Sequence, residues 1–216
     1  MIRPYDELYL SDAIKSLSTV FDYLLNDCKI ESELFTFIFA NSRYIKLLEN
    51  GAPHIISGIS GEELSLKILN DVFPNVVFPE RKHNINKSPE YWTGWALAQY
   101  QYYSSRSFKE IFFRIKLSKI IDMYNPYHEM DIEHFINAID KLFDDSMKDT
   151  NLKRIRESRD LSQSELASLS GVSLRSIQLY EQRVNDIDKA QSHTLYKLSR
   201  ALCCDIIDLL EEPRCV

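Results

Sequence analysis

One stretch of 23 residues, LSQSELASLSGVSLRSIQLYEQR at positions 161–183, restricts the fold of this chain more than any other. Ser162 is placed to cap the start of a helix, and Glu165, three residues on, to complete a reciprocal capping box. Leu166 and Ala167 supply an inward face, and the small alanine lets a second helix cross closely at a steep angle. Gly171 stands where the chain has to turn sharply, in a backbone region that other residues resist. Val172 packs under that turn and Ser173 caps the next helix. Ile177 and Tyr180, three residues apart, bury one face of it. The opposite face then carries Leu174, Arg175, Gln178 and Gln182, with Arg183 at its end.

This pattern resembles the lambda-repressor-like, or Cro/C1-type (XRE), helix-turn-helix family, over roughly the last third of the chain. The resemblance implies a five-helix domain. Its helices are expected at about Leu152–Ser158, Gln163–Ser170, Leu174–Arg183 and Lys189–Cys203, with Asp205 capping a short fifth helix through Leu210. The third would be a recognition helix, presenting its early residues to base edges in the major groove. Arginine suits guanine O6 and N7, glutamine suits adenine N6 and N7, and leucine meets a thymine methyl. Gln163 would direct its amide and the helix N-terminus toward a phosphate. The expected DNA-binding set is Lys153, Ser162, Gln163, Ser173, Leu174, Arg175, Ser176, Gln178, Gln182 and Arg183. Family members also commonly pair an arginine of helix one with a glutamate late in the recognition helix, which here means Arg156 and Glu181. Cys203 departs from the pattern, because many relatives have glycine there to end helix four.

Charge qualifies this reading. The net charge of −6 is unusual for a DNA-binding chain, and it divides into −5 for residues 1–148 and −1 for residues 149–216. Within residues 150–200, nine basic residues outnumber six acidic ones. Lys153, Arg154, Arg175 and Arg183 are the cations placed to engage phosphates. One domain of so modest a charge binds weakly and with strong salt dependence, which favours a homodimer on a double-stranded, palindromic operator.

The polar run DDSMKDTN, near 144–151, is the expected boundary between a domain at 1–147 and one at 148–216. An apolar content of 44% is ample for two packed cores. The larger half has few glycines and repeated helical spacing, so an all-α fold is expected throughout. Apolar residues recur at three- and four-residue intervals over Ser11–Leu25 and Ser32–Leu48. Ser60 and Glu63 form a capping-box pattern, Pro74 and Pro79 bracket an irregular stretch, and Asp131–Phe143 is amphipathic. Most distinctive is SPEYWTGWALAQYQYYS, which opens with Pro89 in a first helical turn. Tyr91, Trp92, Trp95 and Tyr100 make this helix either a buried central element or a partner-binding surface; aromatic-rich helices are more often core. The segment also looks like a region of bacterial regulators of the same class encoded beside small proteins, as in type II toxin–antitoxin modules. That resemblance implies an antitoxin that neutralises a toxin from a neighbouring gene and represses their shared promoter.

Recognisable enzyme signatures are missing. In HEMDIEH the two histidines, His128 and His134, stand six apart, whereas a zincin helix needs them four apart. His54 and His83 have no nucleophile in a recognisable context. Gly58 and Gly61 precede no lysine at phosphate-loop spacing, so a structural turn is the expectation. Cys28, Cys203, Cys204 and Cys215 form no CxxC pair. No metal or cofactor is expected. The chain opens on MIRPYDE rather than a basic and apolar leader, and no run approaches membrane-span length, so a reducing cytoplasm is expected. Two other readings stay open: a ligand-responsive repressor with a pocket near Trp92, Trp95 and Tyr100, and an interaction module whose helix-turn-helix no longer binds DNA.

Overall fold

The computed structural model describes residues 3–82 and 87–211, apart from the Met147 side chain, and every regular element among these described residues is an α-, 3-10 or π-helix. His83 and Cys215 lie outside the described residues. Two compact units divide the chain, Met1–Phe143 and Asp144–Val216.

The first unit begins with α1 (Leu10–Asp22), prolonged by a π-helical turn at Tyr23–Asp27. Next come α2 (Ser32–Asn41), α3 (Arg43–Glu49), α4 (Pro53–Ile56) and α5 (Gly61–Val72). The expected Ser32–Leu48 segment is therefore two helices. Ser42 adopts an extended conformation and its hydroxyl accepts the Tyr44 amide at 3.2 Å, ending one helix and capping the next. After an irregular stretch that includes Pro74 and Pro79 come α6 (Pro89–Ser104), α7 (Phe108–Arg114), α8 (Leu117–Asp122) and α9 (Tyr124–Tyr127). The following helix, α10, runs Ile132–Lys148. The polar stretch expected as a linker is thus helical through Lys148, since nothing in DDSMK breaks the pattern set by the preceding turns.

Helix α6 is the centre of this unit. Trp92, Ala96, Leu97, Ala98, Tyr100 and Tyr102 are all buried, so it is covered on nearly every side, as an interior helix is. Trp92 stacks edge-on against Tyr124 and Phe135, and Tyr100 is fully enclosed. Both residues therefore drop out as surface for a partner; Tyr91 and Trp95 stay half-buried. The Tyr100 hydroxyl donates to Asp140 at 2.8 Å and accepts from Arg106, whose guanidinium also meets Asp140 at 2.5 Å. These bonds tie α6 to α10.

Helices α1 and α6 run antiparallel and touch through backbone. A Cβ on Gly94 would lie 2.6 Å from the Leu17 carbonyl oxygen, so only glycine lets the two axes come so close. Both ends are locked by polar contacts. At one end the Asn26 amide donates to Asp22, Ser88 and Glu90 within 3.1 Å. At the other, Arg3 donates to the Tyr102 and Tyr103 carbonyls and lies over both rings. Phe21, Phe35, Phe39, Phe108 and Phe112 fill the adjoining core with mostly edge-to-face contacts.

Glu49, at the end of α3, accepts the Phe108 amide at 2.5 Å and so holds the start of α7. Burial pushes its carboxyl up to about 7, against the opposing pull of that hydrogen bond and of Lys46. A folded-state pKa above the ordinary 4.5 means that the folded chain binds this proton more tightly than the unfolded one. Stability from this group is therefore greatest at low pH and falls as pH rises from about 4.5 to 7. We expect the denaturation midpoint of the protein to drop between pH 5 and pH 8, and Glu49→Gln to flatten that drop. Parallel profiles for the two proteins would refute the assignment.

Candidate nucleic-acid interface

The second unit contains α11 (Asn151–Ser158), α12 (Gln163–Ser170), α13 (Leu174–Glu181), α14 (Ser192–Leu202) and α15 (Ile206–Leu209). Local chemistry accounts for each boundary. Thr150 caps α11 through the Lys153 amide. Ser162 and Glu165 form the complete capping box of α12, at 3.2 and 2.7 Å, and hydrogen bonds from the Ser162 hydroxyl and backbone amide hold the Glu165 carboxyl below its usual range. Gly171 closes the helix at φ +65° with open space where a Cβ would stand, so its conformation, not its size, is what the turn requires. Ser173 caps α13 through the Ser176 amide at 3.0 Å, and the two hydroxyls also bond each other. Leu166 and Ile177 are fully buried and Val172 lies beneath the turn.

Two limits differ from the sequence reading by more than one residue. Helix α13 stops at Glu181 because Arg183 turns left-handed, at φ +54°, and its amide returns to the Tyr180 carbonyl. A 3-10 turn at Ile187–Lys189 precedes α14, which starts only at Ser192. Cys203 ends α14 at φ +50°, adopting the left-handed cap without the glycine that suits it. Cys203→Gly relieves that strain, and we expect a gain of roughly 0.5–1 kcal/mol in denaturant unfolding, net of the added freedom of the unfolded chain.

Arg156 and Glu181 form a two-pronged ion pair between α11 and α13, at 2.6 and 2.9 Å. Their side chains are only 8% and 3% exposed. Arg156 also donates to the Leu161 carbonyl at 2.7 Å, and Gln163 donates to Glu181 at 2.7 Å. The Gln163 amide thus belongs to this buried cluster rather than pointing at a phosphate; its neighbour in the fold is a carboxylate that needs a second donor. Replacing Glu181 with alanine leaves the arginine buried without its counter-charge. A loss of about 3–5 kcal/mol is expected in denaturant unfolding.

The other expected contacts separate into two groups. Leu174, Arg175 and Gln182 are exposed and Gln178 is half-exposed, along one side of α13 and its cap. Among the described residues, the Arg175, Gln178 and Gln182 side chains have no partner within the protein. By contrast, Lys153 is paired with Asp149 at 2.7 Å, Arg154 donates to Asn151, and Arg183 donates to the Lys148 and Asp149 carbonyls and to Glu211. Sequence reasoning gave Glu211 no role. It stands 60 residues from its α11 partner, Asn151, so no local pattern connects them.

Elsewhere His128 stacks on Tyr124 and bonds its carbonyl, and Gly61 lies where a Cβ would meet Thr19 at 2.6 Å, a packing role. Among the described residues no group of three or more histidine, cysteine or acidic side chains is placed to hold a metal, and no helix is long and apolar enough to cross a membrane. Burial raises the Cys28 thiol and pushes Cys204 up to about 11.

No curated protein and no solved structure was found to match the chain. The helix-turn-helix family model matches residues 152–209, about a quarter of the chain, and these residues form a helix-turn-helix domain of the Cro/C1 type, the class found in DNA-binding regulators.

Proposed function

We propose that the chain is a sequence-specific transcriptional repressor that binds a palindromic operator as a cytoplasmic homodimer, with recognition helices about 34 Å apart or a multiple of that. The observation that carries this reading is the contrast on α13. Its inward residues are fixed by packing and by the Arg156–Glu181 pair, while Arg175, Gln178 and Gln182 are left without partners among the described residues. Side chains of this chemistry, held on a rigid helix, are suited to bidentate contacts with base edges. Leu174, 38% exposed at the first turn, supplies an apolar contact for a thymine methyl.

The test is binding of the purified protein to its own upstream promoter and to scrambled DNA across a salt series. Arg175→Ala and Gln178→Ala are expected to cost about 1–3 kcal/mol of base discrimination each, without changing thermal stability. Among the described residues the Lys153 side chain has one partner, the half-exposed Asp149, which a phosphate can replace; Lys153→Ala is expected to weaken both DNAs equally and to reduce the salt slope by about one. Equal losses on promoter and scrambled DNA for all three variants would overturn the assignment and favour an interaction module.

For the first unit we infer a protein partner, such as a toxin from a neighbouring gene. Phe37 and Leu34, one turn apart on α2, are 67% and 42% exposed, and outward apolar side chains of this size suit a protein contact better than a small ligand does. Growth arrest on expressing the neighbouring gene alone, relieved by this protein but not by its Phe37→Asp variant, is the expected result. Relief by the variant equal to the parent would remove this surface from the contact.

A further inference from the structure

Building on the DNA-binding reading, we propose that Arg183 is a positioning residue rather than a phosphate contact. With Glu211 and Asn151 it forms a buckle that sets the angle of the recognition helix. Arg183 is the first residue past the α13 cap, and its left-handed backbone turns the side chain's attachment point out of the helix. Its guanidinium donates to the Lys148 carbonyl at 2.5 Å, the Asp149 carbonyl at 3.3 Å and the Glu211 carboxylate at 3.2 Å. The other oxygen of that carboxylate accepts the Asn151 amide, the first of α11, at 2.5 Å. Negative charge is favoured at that end of a helix, where amides lack intrahelical acceptors.

The clasp is closed by two more bonds. The Asn151 side-chain amide donates to the Leu210 carbonyl, and the Glu211 amide donates to Asp188 at 2.8 Å, in the 3-10 turn before α14. The Glu211 carboxylate thereby joins the start of α11 to the residue after the α13 cap, and its backbone amide adds the approach to α14. Asn151 and Glu211 both fall just outside the 152–209 family match. The Arg156–Glu181 pair holds position 181 of the same helix end, so α13 is fixed to α11 on both sides of its cap. To bind a phosphate, Arg183 would have to release acceptors already in place, whereas Arg175 has none to release among the described residues.

The experiment compares Arg183→Ala, Glu211→Ala, the double variant and Arg183→Lys in the full chain. Each is read for thermal melting, promoter-over-scrambled preference and salt slope. Each alanine variant is expected to melt earlier and to lose roughly three- to tenfold of the preference at an unchanged salt slope, the double variant losing no more than the worse single. Arg183→Lys is expected to lose preference as alanine does, because one ammonium cannot span the acceptors that a planar guanidinium reaches. The proposal is overturned if Arg183→Ala melts normally with a slope smaller by about one, if lysine restores full affinity, or if the single losses add. Should the parent protein itself show no promoter preference, the DNA reading fails first. Melting then decides the buckle alone, non-additive losses upholding it and additive losses refuting it.

Discussion

Taking a guanidinium out of water is costly, and the fold meets that cost at Arg156 by surrounding it with acceptors. Glu181 supplies two oxygens and Leu161 a carbonyl, while Gln163 satisfies the glutamate from the other side. The cluster joins α11, the α11–α12 connection, α12 and α13, so these elements share one geometry. A hydrophobic contact in the same place tolerates sliding; a forked pair with fixed bond directions does not. The outward face of α13 inherits its orientation from this inward chemistry.

The first unit depends on a different kind of constraint. Its central contact is the backbone approach of α1 to α6, and its polar networks lie at the ends of that approach, around Asn26 and around Arg3. Aromatic side chains then fill the space beside the crossing. The result is an interior helix that carries tyrosines and glutamines, yet whose Tyr100 hydroxyl is satisfied by Arg106 and Asp140. Polar groups on a buried helix specify which neighbour belongs beside them, a service that leucine cannot provide.

Much of the second unit was legible in the sequence because its signals are local. A serine with a glutamate three residues on marks a cap, a glycine marks a left-handed turn, and apolar spacing marks the buried side; all lie within one turn of what they control. Two of the misjudged points have non-local causes. Arg183 leaves the helix with its side chain engaged by residues 148, 149 and 211, and Gln163 is diverted by a carboxylate 18 residues away. In the first unit the helical class followed from spacing, and the break at Ser42 was missed because the apolar rhythm runs on across it. Whether the aromatic helix was core or surface could not be read from its composition, since both environments favour aromatics; at Trp92 and Tyr100 contacts from α9 and α10 decided it.

At Gly94 the volume of a single methyl group is already occupied by the backbone of α1. Because the obstacle is main chain rather than a flexible side chain, no change of rotamer nearby can make room. In the language of sequence space, the position is a point where the first unit has no neutral neighbours: alanine, the smallest step available, already forces two helices apart. Under saturating mutagenesis with selection on the first unit, glycine is the residue that should survive there, while the glycine at 171 would be retained for its torsion angle alone.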